Sequence, residues 1–211
     1  IGGGALTDSD AVSIRVVSSN LSFNATPSWT TIPGELETSF SGNGKEILAL
    51  TGGLDYIDQM EVLPGGSIIG VGVMGDEVGA IRFEPELAID GSFGSGGLIK
   101  TGILDKTHPG SSLEIDRQGR LLIGGNQVLV RYSAEDGKID SSFGSGGGIS
   151  LSGSSRIHDI DLQPDGQILL TSETGVYRVA ADGGQLSLIV PGDFSGVSAI
   201  DNSNFLAVKK T

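Results

Sequence analysis

The residues of this chain whose chemistry is most suggestive recur at a fixed interval. Arginines stand inside short apolar stretches at Ile81-Arg82-Phe83, Val130-Arg131-Tyr132 and Tyr177-Arg178-Val179, with Ile14-Arg15-Val16 as a weaker fourth. Asp90 and Asp140 follow the first two of these arginines at closely matching distances. A ring of guanidinium groups would bind an anion. Arginines paired with Asp90 and Asp140 would instead tie each repeat together. Recurrence in every repeat favours the pairing, because stacking requires the same contact each time while a binding site tends to break the symmetry.

Other chemistries find weaker footing. Gly94-Ser95-Gly96-Gly97 and Gly144-Ser145-Gly146-Gly147 resemble a phosphate cradle in composition only. Such a cradle needs a helix N-terminus behind it, commonly with a lysine followed by Ser or Thr. Here Leu98-Ile99-Lys100 reads as a strand, so Gly97 and Gly147 are expected as turn residues. Asp8 with Asp10, and Asp159 with Asp161, offer the hard oxygen ligands that calcium takes, but no complete EF-hand spacing organises them. No cofactor is therefore expected, calcium being the one ion the composition admits, with no ligands assigned. His108 and His158 are the only histidines, and no Gly-x-Ser-x-Gly elbow supplies a nucleophile. No catalytic residue is assigned, and paired carboxylates would be the only route to hydrolysis.

The elements that must hold these residues are short strands. Phe40, Phe93 and Phe143 lie 53 and 50 residues apart, each inside a copy of one motif. The clearest copies are Ile89-Asp90-Gly91-Ser92-Phe93-Gly94 and Ile139-Asp140-Ser141-Ser142-Phe143-Gly144. These phenylalanines are expected to fill the space between neighbouring repeats rather than to stack on a ligand. Between motifs, apolar strands flank turns at Pro64-Gly65-Gly66, Gln118-Gly119 and Pro164-Asp165-Gly166, each pair reading as a hairpin. A strand carrying an arginine follows each hairpin. Four short strands per fifty or so residues is the formula of a propeller blade.

The spacing predicts an all-β β-propeller of four-stranded blades, with full repeats at 36–88, 89–138 and 139–190 and partial ones at 1–35 and 191–211. Val197–Ile200 and Phe205–Val208 form a hairpin whose next strand is missing, and the strand around residues 11–17 is of the missing kind. Two readings stay open: the first strand completes the last blade and closes a four-bladed ring, or the chain is a slice of a longer array.

Composition agrees with this reading and excludes several functions. Gly accounts for 35 of 211 residues, which calls for many turns, and a mean hydropathy of +0.09 is too apolar for a disordered acidic chain. The net charge of −13, from 26 acidic and 13 basic residues, repels phosphate backbones and anionic membrane surfaces. Nucleic-acid binding and membrane insertion are not expected. The absence of cysteine excludes disulfides, thiolate metal sites and a cysteine nucleophile.

The motif Leu/Ile-Asp-x-Ser-Phe-Gly-x-Gly-Gly, with Gln163-Pro164-Asp165-Gly166-Gln167-Ile168 and an arginine strand after it, resembles the delta-60 repeat. That resemblance covers residues 36–189 well and the ends in part. It implies a β-propeller of a bacterial secreted or cell-surface protein, and it carries no catalytic residues. The expected role is a non-enzymatic extracellular or cell-surface module for binding, adhesion or structural display, with a protein or polysaccharide held on one propeller face. The alternatives are a structural subunit of a surface assembly or filament, self-associating through incomplete end blades, and a carbohydrate-active enzyme using paired carboxylates.

Overall fold

A computed structural model describes residues 55–85, 87–104, 111–153 and 155–210, together with the backbone of 12–15 and 45–48. The chain divides into two compact units, residues 1–56 and 57–211. In the first, β1 (Val12–Arg15) pairs antiparallel with β2 (Lys45–Leu48), Arg15 standing opposite Lys45. The amino-terminal strand of the sequence reading therefore has β2 as its partner.

The second unit is all-β among the described residues. Its first sheet runs β3 (Asp55–Val62), β4 (Ile68–Met74), β5 (Glu77–Phe83), β6 (Leu98–Leu104) in spatial order. Its second runs β7 (Ser112–Ile115), β8 (Arg120–Gly125), β9 (Val128–Ser133), β10 (Gly148–Ser150). Its third runs β11 (Ile157–Leu162), β12 (Ile168–Ser172), β13 (Gly175–Val179), β14 (Leu186–Pro191). The hairpin β15 (Phe194–Ala199) and β16 (Phe205–Lys209) follows as a two-stranded sheet. The assigned pairings between neighbouring strands are antiparallel.

The sequence explains this order strand by strand. Second strands are covered on both faces, so β4, β8 and β12 read as near-continuous runs of Ile, Val, Leu and Gly rather than as alternations. First-to-second turns close in one way three times. The N–H groups of Leu63, Asp116 and Gln163 donate to the carbonyls of Ser67, Arg120 and Gln167 respectively, while Gly66, Gly119 and Gly166, each at positive φ, donate back to the carbonyls of Leu63, Asp116 and Gln163. Register is also conserved: Arg82 stands opposite Ile69, Arg131 opposite Leu122 and Arg178 opposite Leu169.

Consecutive sheets pack face to face in chain order, β7 on β4, β11 on β7 and β8, and β15 on β11 to β13. The layers between them are apolar. Ile69, Val71, Phe93 and Leu113 fill the first, Leu122, Phe143, Ile157 and Ile160 the second, and Leu169, Val176, Phe194 and Val197 the third. Each such side chain contributes about 1.5–3 kcal/mol when fully buried.

The sequence repeat is out of phase with the sheets by one strand. Motif 89–97 lies in the connection between the third and fourth strands of the first sheet, so repeat 89–138 opens with that sheet's β6 before starting the next. Motif 139–147 stands in the same place in the second sheet.

Candidate binding groove

The repeated polar residues meet in one construction, built twice. In the first sheet the Arg82 Nε donates to Asp90 Oδ2 at 2.8 Å and Nη2 approaches the same oxygen at 2.6 Å. Asp90 Oδ1 accepts from the backbone N–H and the hydroxyl of Ser92, fixing the turn that delivers Phe93. The guanidinium carbon lies 4.8 Å from the Phe93 ring centroid, a cation–π distance. Nη1 then crosses to the next sheet, donating to the carbonyls of Ala134 and Glu135, while Gly94 N–H donates to Asp136 O.

The second sheet repeats the construction with one carbonyl fewer. Arg131 Nε donates to Asp140 Oδ2 at 2.9 Å, and its carbon stands 4.4 Å from the Phe143 centroid. Nη1 donates to Ala181 O at 2.6 Å, and Gly144 N–H donates to Asp182 O. Phe93 and Phe143 are fully buried, and Arg131 is 3% exposed. The serine hydroxyls, followed by their backbone amides and the guanidinium groups, hold the Asp90 and Asp140 carboxyls below the usual aspartate value. Gly97 and Gly147 close the motif at φ +95° and +105°, where a Cβ would collide with Ile89 and Ile139.

Arg178 departs from the pattern. The connection after β13 is only 180–185, with no Asp-x-Ser-Phe in it, and the Arg178 Nε is buried without a hydrogen-bond partner. Phe40, the third repeat phenylalanine, lies outside the described residues, as do Asp8, Asp10 and His108. Asp159 and Asp161 serve as inter-sheet acceptors, taking the N–H groups of Val197 and Ala199. His158 sits beside Glu173 and Lys210, and burial followed by the Lys210 charge pushes its pKa down. Among the described residues no group of three or more His, Asp or Glu side chains is gathered so as to hold a metal ion. No helix among them is long and apolar enough to cross a membrane.

One groove, of about 760 Å³, opens between the β7–β8 and β11–β12 hairpins. Its polar lining includes Glu114, Arg117, Arg120 and Gln163, and Leu122, Leu162 and Ile168 add apolar wall. Arg120 is held by Asp116, Nε to Oδ2 at 2.6 Å, and its Nη2 donates to Gln118 Oε1. Arg117 is exposed and has no ion-pair partner among the described residues. Gln163 is 2% exposed; its Nε2 donates to Asp201 O while its Oε1 receives nothing. Glu114 is half-buried, and burial, then the charges of Asp161, Glu61 and Asp159, push its carboxyl up to about 7.

Sequence reasoning did not single out Glu114, Arg117 or Arg120, and it took Gln163 only as part of the repeat motif. A signal was present, since Arg117 and Arg120 occupy positions that hold Pro64 and Ser67 in the first sheet and Pro164 and Gln167 in the third.

Comparison with known proteins gives a fold likeness alone. No family model matches the chain. No curated protein matches it. Among solved structures it is similar to the extracellular domain of BT4673 from B. thetaiotaomicron, described in one case as a one component system, with a TM-score of 0.53 and 14% identity over 81% of this chain and 23% of that one. A second structure of that extracellular domain, described as part of a hybrid two component system, gives a TM-score of 0.51 and 15% identity over 74% and 20% of the two chains. PorZ, a surface component of the type-IX secretion system of Porphyromonas gingivalis, follows with a TM-score of 0.46 and 12% identity over 72% and 26%. The chain spans about a quarter or less of the length of these three structures.

Proposed function

We propose that this chain is part of a β-propeller of the delta-60 type, belongs to an extracellular or cell-surface protein, and serves it as a non-enzymatic binding module. The observation that carries this reading is the contrast between two kinds of feature in one stack of sheets. The arginine–aspartate–phenylalanine clamp is repeated in sequence and geometry, as stacking requires. The groove between β7–β8 and β11–β12 breaks that repetition with Arg117 and Arg120, and it holds Gln163, whose buried Oε1 has no hydrogen-bond partner. Propellers gather their loops at the blade ends, where ligands reach several blades at once.

Delta-60 repeats belong to secreted and surface proteins, and the extracellular domain from B. thetaiotaomicron supports the same location. The test has two arms. Protease accessibility on intact cells of the native source reads location, and an array of polysaccharides and matrix proteins probed with the purified chain reads binding. Surface exposure with saturable binding supports the reading; a cytoplasmic protein that binds nothing overturns it.

A further inference from the structure

The groove is built from unlike halves, and its chemistry narrows what it can hold. Its lining includes two arginines of the β7–β8 hairpin, Arg117 in the turn and Arg120 at the start of β8, in a molecule whose formal charge is −13. The arginines on the repeat, Arg82 and Arg131, are consumed by clamps, but Arg117 and Arg120 are off the repeat and Arg117 is unpaired among the described residues. Asp116 holds Arg120 through its Nε, Gln118 takes one N–H of Nη2 and Asp140 lies 3.7 Å from Nη1, which leaves the remaining Nη N–H groups for a ligand. Two guanidinium groups on one hairpin match a planar carboxylate.

Deeper in, the lining asks for donors. Gln163 Oε1 is a buried acceptor with no donor, a condition costly to leave unmet. Glu114 is surrounded by carboxylates from two other strands, Glu61 of β3 and Asp159 and Asp161 of β11, so it too gains from a donor. A ligand must therefore combine one anionic group with several hydroxyl-type donors. A bare phosphate brings the first without the second. A peptide brings a single backbone N–H per residue, with alternate ones turned away in an extended chain. A sugar acid brings both, with hydroxyls on most ring carbons.

We propose that this groove binds a carboxylated saccharide, its carboxylate held by Arg117 and Arg120 and its hydroxyls by Glu114 and Gln163. The proposal rests on the binding-module reading and names its ligand class. Among the described residues no aromatic ring lines the groove, so affinity comes from polar contacts rather than ring stacking. Binding strengthens as pH falls from 8 to 6: Glu114 gains a proton in that range and loses its repulsion of the ligand carboxylate, while its carbonyl oxygen still accepts from a hydroxyl. The charged groups around it are Asp161, Glu61 and Asp159, whose charges act on it, and Asp116, Arg117, Arg120, Arg131 and Asp165, which line the same groove.

The repeat itself supplies variants compatible with the turn. Arg117→Pro and Arg120→Gln give the second sheet the residues that the third sheet carries at Pro164 and Gln167. Isothermal titration of the full chain with trigalacturonate, with the neutral galactotriose, with a short polyglutamate and with inorganic phosphate tests the idea. Trigalacturonate is expected to bind, with affinity falling about tenfold or more in the double variant, the equivalent of losing one charge-assisted contact. The variant's thermal melt is expected to match the parent's. Equal binding of galactotriose, or preference for polyglutamate or phosphate, overturns the saccharide-carboxylate assignment. Trigalacturonate binding that survives the double variant, or no trigalacturonate binding at all, overturns the site. A partner found on the array that competes with none of these probes leaves the module reading intact and sinks this inference alone.

Discussion

Arg131 of β9 donates at 2.6 Å to the backbone carbonyl of Ala181, which stands fifty residues later and in the neighbouring sheet. The same guanidinium is bound to Asp140 and lies over Phe143, so one side chain joins the strand, its own motif and the next layer. Arg131→Ala takes from Asp140 its nearer counter-ion, leaving only Arg120 at 3.7 Å, removes this donor from the Ala181 carbonyl, and should cost about 3–5 kcal/mol. Arg131→Lys is expected to recover only part, since an ammonium cannot serve both partners in one plane. Urea denaturation midpoints measure both. The corresponding change at Arg178, whose Nε is buried and unpaired, should cost clearly less than at Arg131; equal losses would show that the clamp is not what matters at Arg131.

Phe93 is fully buried in the layer between the first two sheets. Phe93→Ala should cost about 3–5 kcal/mol, as truncation of a core phenylalanine does. Thermal melting checks this, and an unchanged Tm would remove the residue from the core.

Gly96 and Gly97 form a controlled pair. Both have positive φ, but a Cβ on Gly96 would meet nothing within 4 Å while one on Gly97 would run into Ile89. Gly96→Ala should therefore cost only its backbone strain, about 1 kcal/mol, and Gly97→Ala that plus a steric clash, about 2–4 kcal/mol in all. Chemical denaturation of the two variants side by side reads the difference.

Glu114 makes stability depend on pH in a defined sense. Its folded-state pKa, about 7, lies above the ordinary 4.5, so its folded-state protonation contributes stability that is full below the lower value. That contribution is lost as pH rises toward 7. Glu114→Gln should remove this decline and leave the protein more stable than its parent at pH 8, by about 1–2 kcal/mol after discounting for solvent screening of a half-exposed group. Melting temperatures across pH 4–8 check it, and parallel curves for parent and variant would refute it.

Much of the sheet structure was legible because its punctuation is chemical. Glycines at the hairpin tips, apolar runs of strand length and an arginine in each third strand mark the order of strands without any knowledge of tertiary contacts. The pairing of Arg82 with Asp90 and Arg131 with Asp140 was legible for the same reason, since both partners are side chains with a recurring interval. What the arginines reach in the next sheet was not, because a backbone carbonyl such as that of Ala181 has no signature in sequence. The groove was hidden by distance: Glu114 and Gln163 come from hairpins 49 residues apart, and the carboxylates that perturb Glu114 lie on two further strands. Arg178 shows the limit of periodicity, for it keeps its place in the strand although the motif that would satisfy it is gone.

The one-strand offset between sequence repeat and sheet makes the units overlap like shingles. A piece of chain cut at the repeat boundaries, such as residues 89–138, carries three strands of one sheet and the outermost strand of the sheet before. Such a piece can complete no layer by itself. A copying event that duplicates one repeat therefore inserts a strand that an existing sheet already needs at its edge, so the lengthened array is joined to its neighbours from the start.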